Sequence, residues 1–147
     1  MGTRRVAREV ALQALYQIDM RGESAEPGDL GDLGLFWAHF DCPEAAGPFA
    51  RELVEGVRTQ RQRIDELITG SVEHWRLERL SGVDRNLLRV ATFELVDRPE
   101  IPTSVTINEA VEIARRYGSE DSASFVNGVL DHIAGVLGLK AEAKSSE

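Results

Sequence analysis

Only one cysteine, Cys42, occurs in the 147 residues, so no disulfide can form within the chain and nothing argues against a reducing cytoplasm. No run of about 18 apolar residues is present, which leaves no candidate membrane span. The opening MGTRRVAREV lacks the apolar core of a secretory signal. It begins as a myristoylation pattern does, but Arg5 and Val6 lie where that pattern wants a small polar residue. The three histidines, His39, His74 and His132, stand alone, with no Cys or Asp at metal-ligand spacing. Glu109 and Glu112 are one helical turn apart, yet the E-x-x-H that a bundle di-metal site needs is missing. No glycine-rich loop follows a strand, and no G-x-S-x-G occurs. The expectation is a protein without catalytic activity, cofactor or metal.

Sustained period-2 alternation is also missing. The one β-branched stretch, IPTSVTI, is short and bounded by proline. What is present is helical periodicity, so the fold class is expected to be all-α. Thr3 is placed to cap a helix running to about Met20, with Val6, Val10, Ala14 and Ile18 as its buried stripe. Residues 21–34 hold five Gly or Pro and read as a loop. Leu35–Phe40 suggests a short helical turn, and Asp41 with Pro43 a second start. Phe49, Leu53, Val57, Ile64, Leu67 and Ile68 predict one long helix to about Thr69. Leu77 and Leu80 suggest a short helix, and Leu87, Leu88, Ala91 and Leu95 another over about 83–96.

RPEIPTS (98–104) reads as extended, because a residue before proline avoids the helical region. Thr106 and Glu109 match a T-x-x-E capping box opening a helix that Gly118 ends. Ser119 is placed to cap the last helix, whose stripe is Phe125, Val129, Ile133 and Leu137 and whose stop is Gly138. Gly128, inside that helix, predicts close approach by a neighbour, at about 1 kcal/mol in propensity. The tail from Lys140 is polar and expected to fray.

Basic charge is scarce overall: the net charge is −8 and the pI near 4.9, which alone argues against nucleic acid. The distribution matters more. Residues 1–21 carry Arg4, Arg5, Arg8 and Arg21 against Glu9 and Asp19, whereas 22–49 carry acids and no Lys or Arg. At physiological salt the Debye length is about 8 Å, so a local basic patch acts despite an opposite net charge. Arg4, Arg5 and Arg8 fall within roughly a 100° arc of the first helix. Guanidinium groups bind phosphate in a bidentate way, and helix-start amides add to the attraction. A solvated face fits the same residues. Phe125, near the start of the last helix, fits either a core position or a stacking face for an unpaired base.

RRVAREVALQALYQIDM, VDRNLLRVATFEL, the RPEIP turn and INEAVEIARRYGSEDSASFVNGVLD resemble, in order and spacing, the NusB family of bacterial transcription antitermination factors. The resemblance covers about 4–134 and is weak over 22–48. It implies two packed three-helix bundles, forming one NusB-like domain over 1–139 with a loop at 21–34 and a flexible tail at 140–147. It implies a pair with the ribosomal protein NusE, binding of the single-stranded boxA element of ribosomal RNA leaders, and an antitermination complex with RNA polymerase that reads through terminators. Homodimers also occur in such a family. By position, the resemblance assigns RNA contacts to Arg4, Arg5, Arg8, Gln13, Asp121 and Phe125, and a partner contact to Asp84. Val6 stands where some members carry a further Arg, and Ala123 and Ser124 replace a His-Lys pair. Two other readings remain open. One is a helical protein-interaction module without RNA binding. The other is a relative of the N-terminal domain of a ribosomal RNA cytosine methyltransferase, for whose cofactor domain 147 residues leave no room.

Overall fold

The computed structural model describes residues 2–20, 42–72 and 77–139. Within them the chain forms six α-helices: α1 (Thr3–Met20), α2 (Gly47–Thr59), α3 (Arg61–Thr69), α4 (Gly82–Asp97), α5 (Thr103–Tyr117) and α6 (Ser122–Val136). Single 3-10 turns lie at Glu44–Ala46 and Leu77–Arg79. There is no strand among the described residues, in keeping with the all-α expectation. The expectations for 21–34, 35–40, Asp41, His39, His74 and 140–147 lie outside the described residues.

The buried stripes follow from the sequence. Val10 and Ala14 of α1 are buried, with Ala7, Ala11, Leu12 and Leu15 beside them, while Val6 and Ile18 at the ends are half-buried. Leu53 and Val57 of α2, Ile64 and Ile68 of α3, and Val129 and Ile133 of α6 are also buried. α1 packs on α2 and α2 on α3, while α4, α5 and α6 pack on one another. The two groups of three share one continuous core drawn from all six helices.

α4 joins the groups, because it touches each of the other five helices. Every residue from Arg85 to Leu95 is buried, the expected state of a helix surrounded on all sides. Five of those residues are polar: Arg85, Asn86, Arg89, Thr92 and Glu94. A buried charge is tolerated when paired and hydrogen-bonded. Arg85 Nε donates to Asp19 Oδ2 at 2.7 Å, Asn86 donates to the same oxygen at 2.9 Å, and Arg89 Nε donates to Asp65 Oδ1 at 2.8 Å. Burial alone would raise the Asp19 carboxyl, but the hydrogen bonds from Asn86 and Arg85 outweigh it and hold the pKa below the usual range.

Several local expectations need correction. α1 opens on Gly2, whose carbonyl accepts from the amides of Arg5 and Val6, so Thr3 is the first helical residue and not the cap. The long helix expected to end at Thr69 is two, broken at Gln60 (φ −108°, ψ 19°), where the Thr59 hydroxyl donates back to the Glu55 carbonyl at 2.6 Å. The apolar phase runs through this break, so periodicity does not reveal it. Thr103 and Ser104 belong to α5, since Pro102 (φ −56°, ψ 139°) supplies the extended residue before the helix. Ser119 does not cap α6; the Ser122 hydroxyl instead accepts from the Ser119 amide at 2.9 Å.

Two glycines behave differently from expectation. A Cβ on Gly128 would meet nothing within 4 Å among the described residues, so none of them presses there. The close approach is at Gly56 of α2, where an added Cβ would run into the Phe93 ring of α4. Gly138 does end the last helix as expected. Its φ of 78° suits glycine, and the Leu139 amide returns to the Ala134 carbonyl at 2.8 Å.

Candidate nucleic-acid interface

The start of α1 faces α5 and the turn that precedes it. Between them lies a cleft of about 580 Å³ lined by Arg4, Arg5, Arg8, Pro102, Val105 and Glu109, among others. The three arginines that the sequence groups together have three different environments.

Arg8 points inward. Its side chain is 4% exposed, and it forms a two-bond pair with Glu94 of α4: Nε to Oε2 at 2.8 Å and Nη2 to Oε1 at 2.7 Å. Arg5 lies at the rim and forms a second two-bond pair, with Glu109 of α5, at 2.8 and 2.6 Å. These side chains are 29% and 21% exposed, so water reaches this pair. Arg8 Nη1 also lies 3.6 Å from Glu109 Oε1, which links the two pairs. The hydrogen bond from Arg5, outweighing a desolvation that acts the other way, holds the Glu109 carboxyl below its usual range. Arg4 is exposed, and its guanidinium sits over the Phe49 ring of α2, 4.6 Å from the centroid. Arg8 lies 5.6 Å from the same ring. One turn beyond Arg5, Glu9 accepts from Arg116 of α5 at 3.2 Å.

The cleft thus carries Arg4 and Arg5 toward its mouth, with the exposed Glu100 also on its lining, and its inner guanidinium is neutralised by Glu94. Arg4 carries a charge that forms no ion pair among the described residues, Arg5 is held by a carboxylate that water reaches, and Arg8 belongs to the core. A phosphate can approach Arg4 directly and Arg5 by exchange. The apolar wall from Pro102 and the exposed Val105 suits a sugar or base face.

The other candidate residues are placed as follows. Gln13 is half-buried on α1, one turn past Glu9. Asp121 is exposed immediately before α6, and its carbonyl accepts from the Phe125 amide at 3.0 Å, while its side chain makes no capping bond. Phe125 is half-buried and packs against the core, with part of its surface left open. Asp84 lies elsewhere: it is ten residues before Glu94 on the same helix, about 15 Å along the axis. Its amide donates to the Ser81 hydroxyl at 3.1 Å, and its buried Oδ1 has no hydrogen-bond partner among the described residues. Tyr16 and Met20 of α1, both exposed, come close to Gly82 on this side of the molecule.

Sequence reasoning missed three residues here: Glu109, Glu94 and Phe49. The capping-box reading of Thr106 and Glu109 is incorrect. α5 begins at Thr103, which puts Thr106 inside the helix and buried, its hydroxyl without a hydrogen-bond partner among the described residues, and leaves Glu109 to reach Arg5. Glu94 did carry a signal, being an acid between Phe93 and Leu95 in an otherwise apolar stretch. No group of His, Cys, Asp or Glu that could hold a metal occurs among the described residues, and no helix there is long and apolar enough to cross a membrane.

Known proteins match this arrangement along almost the whole chain. Residues 5–135 match the model of the NusB family. The transcription antitermination protein NusB of Desulfitobacterium hafniense is 50% identical over 141 residues, covering 95% of this chain and 93% of that protein. That of Myxococcus xanthus is 47% identical, covering 93% and 98%. Among solved structures, T. maritima NusB superposes with a TM-score of 0.77 at 41% identity, covering 92% of each chain. A crystal structure of the antitermination factors NusB and NusE in complex with dsRNA gives 0.76 at 29% identity, covering 92% and 98%. Sequence and fold agree over most of the chain, which belongs to the NusB family.

Proposed function

We propose that the chain is an RNA-binding transcription antitermination factor that pairs with the ribosomal protein NusE, binds boxA RNA in ribosomal RNA leaders, and joins an RNA polymerase complex that reads through terminators. The observation that carries this reading is the arginine cleft at the start of α1: in a chain of net charge −8, it concentrates guanidinium groups beside an apolar wall. Arg4 and Arg5 supply phosphate contacts, and Arg8 fixes the helix that presents them. Phe125 offers its open face to a base, with Gln13 and Asp121 as polar neighbours of the RNA. Asp84, with Tyr16 and Met20 near it, faces the ribosomal partner, whose basic surface a carboxylate suits. The protein works in the cytoplasm as one domain over 1–139, with no catalytic step of its own.

The test is a titration of boxA RNA at several salt concentrations, with and without NusE. Two phosphate contacts from Arg4 and Arg5 give a log–log salt slope of about −1.4 from this cleft, at roughly 0.7 per contact on a single strand. A chain that binds NusE but no RNA at any salt is a protein-interaction module instead.

A further inference from the structure

Glu109 presents to Arg5 what a phosphate would present: two anionic oxygens in the plane of the guanidinium, at 2.8 and 2.6 Å. The pair stands at the mouth of the cleft and is partly exposed, whereas Arg8–Glu94 is sealed in the core. We infer that Glu109 is an internal competitor of RNA, occupying the anion position on Arg5 in the free protein and giving it up to an RNA phosphate. This rests on the RNA-binding reading above.

The structure also provides for the displaced carboxylate. Arg8 Nη1 already lies 3.6 Å from Glu109 Oε1, a distance that a small side-chain movement closes. When Arg5 swings to a phosphate, Glu109 passes to Arg8 and is not left unpaired. The exchange trades one ion pair for another, so Arg5 adds less affinity than a free arginine does. It also makes binding selective: an anion must offer bidentate geometry and further contacts, from Arg4 or the apolar wall, to displace a carboxylate tethered at high local concentration. Scattered single anions do not.

The test is Glu109→Gln, which keeps the shape and removes the charge. RNA affinity in the NusE-bound protein is expected to rise about 2- to 5-fold at low salt, the range of a solvent-reached ion pair. The gain fades at high salt, because the salt slope steepens by up to about 0.7, one phosphate's share. Glu112→Gln is the control: it makes the same change of net charge one turn away, where Glu112 pairs with Arg115, and is expected to give a smaller gain. In an Arg5→Ala background, Glu109→Gln is expected to give no gain beyond that control. Melting temperatures measured alongside confirm that the variants are folded. Unchanged or weaker RNA binding by Glu109→Gln overturns the inference, as does an equal gain from Glu112→Gln or a gain that survives loss of Arg5. If the wild-type complex binds no RNA at all, the RNA-binding reading falls first and this inference with it.

Discussion

Arg8→Ala separates a core arginine from a surface one. Arg8 and Glu94 are both almost completely buried and bonded through two hydrogen bonds of 2.8 and 2.7 Å. Truncating Arg8 leaves the Glu94 carboxylate inside the shared core, with no other ion pair among the described residues to replace it. Breaking a buried pair from one side costs about 3–5 kcal/mol. Total stability for a protein of this kind is about 5–15 kcal/mol, so the loss is a large fraction. At about 2–4 °C per kcal/mol, the melting temperature is expected to fall by roughly 6–20 °C. Urea denaturation followed by circular dichroism measures the first quantity and a thermal scan the second. Arg8→Met with Glu94→Leu removes both charges and is expected to recover much of the loss, because an apolar pair of similar volume does not strand a charge. Arg4→Ala, at an exposed position, is expected to stay within about 0.5 kcal/mol of wild type. If Arg8→Ala costs less than about 1 kcal/mol and RNA binding collapses, Arg8 is a phosphate ligand and its assignment to the core is wrong.

Arg4→Ala should weaken binding to many RNA sequences alike and flatten the salt slope by about 0.7, as read by titration at three or more salt concentrations. Phe125→Leu keeps apolar volume; a stacking role predicts a loss of about 1–3 kcal/mol in RNA affinity with the melting temperature retained, whereas a fall in melting temperature alone makes it a core residue. Asp84→Lys should weaken the complex with NusE, seen by calorimetry, because it sets a positive charge against a basic partner; unchanged binding removes Asp84 from the interface. The Asp19 carboxyl is held below its ordinary value of 3.8, so its contribution to stability is complete above that pH and is lost as the pH falls through the lower folded value. Asp19→Asn should therefore lower stability at neutral pH and reduce the acid dependence below about pH 4, as checked by urea melts across that range.

Much of the architecture is legible in the sequence because helices that share a core need apolar residues at a fixed angular phase. α1, α4 and α6 are legible in this way from Val10 and Ala14, from Leu87 to Leu95, and from Val129 and Ile133. Phase says nothing of a break that preserves it, and so Gln60 was hidden. It also says nothing of side-chain partners distant in sequence. Arg5 and Glu109 are 104 residues apart, and a local capping pattern explained Glu109 well enough to conceal the pairing. The grouping of Arg4, Arg5 and Arg8 is visible from spacing, but their division into exposed, exchangeable and buried guanidinium groups depends on which carboxylates α4 and α5 bring to them. Gly56 and Gly128 show the same limit: a glycine within a helix signals missing side-chain volume, and only the neighbouring helix decides whether that volume was needed.

Because α4 meets every other helix, neither half of the molecule can open while the other stays shut. Pulling α4–α6 away from α1–α3 exposes one flank of α4 and takes Asp19, Asp65 and Arg8 from Arg85, Arg89 and Glu94, whereas peeling α5–α6 away exposes its other flank and breaks Arg5–Glu109. Partial opening thus combines apolar exposure with the loss of ion pairs. Amide hydrogens between Arg85 and Leu95 should then exchange with solvent deuterium only through complete unfolding, and their slowest rates report the stability of the entire protein. Peptides cut between α3 and α4 should not persist as folded pieces when separated, yet should regain exchange protection when mixed, since each supplies the counter-charges the other lacks.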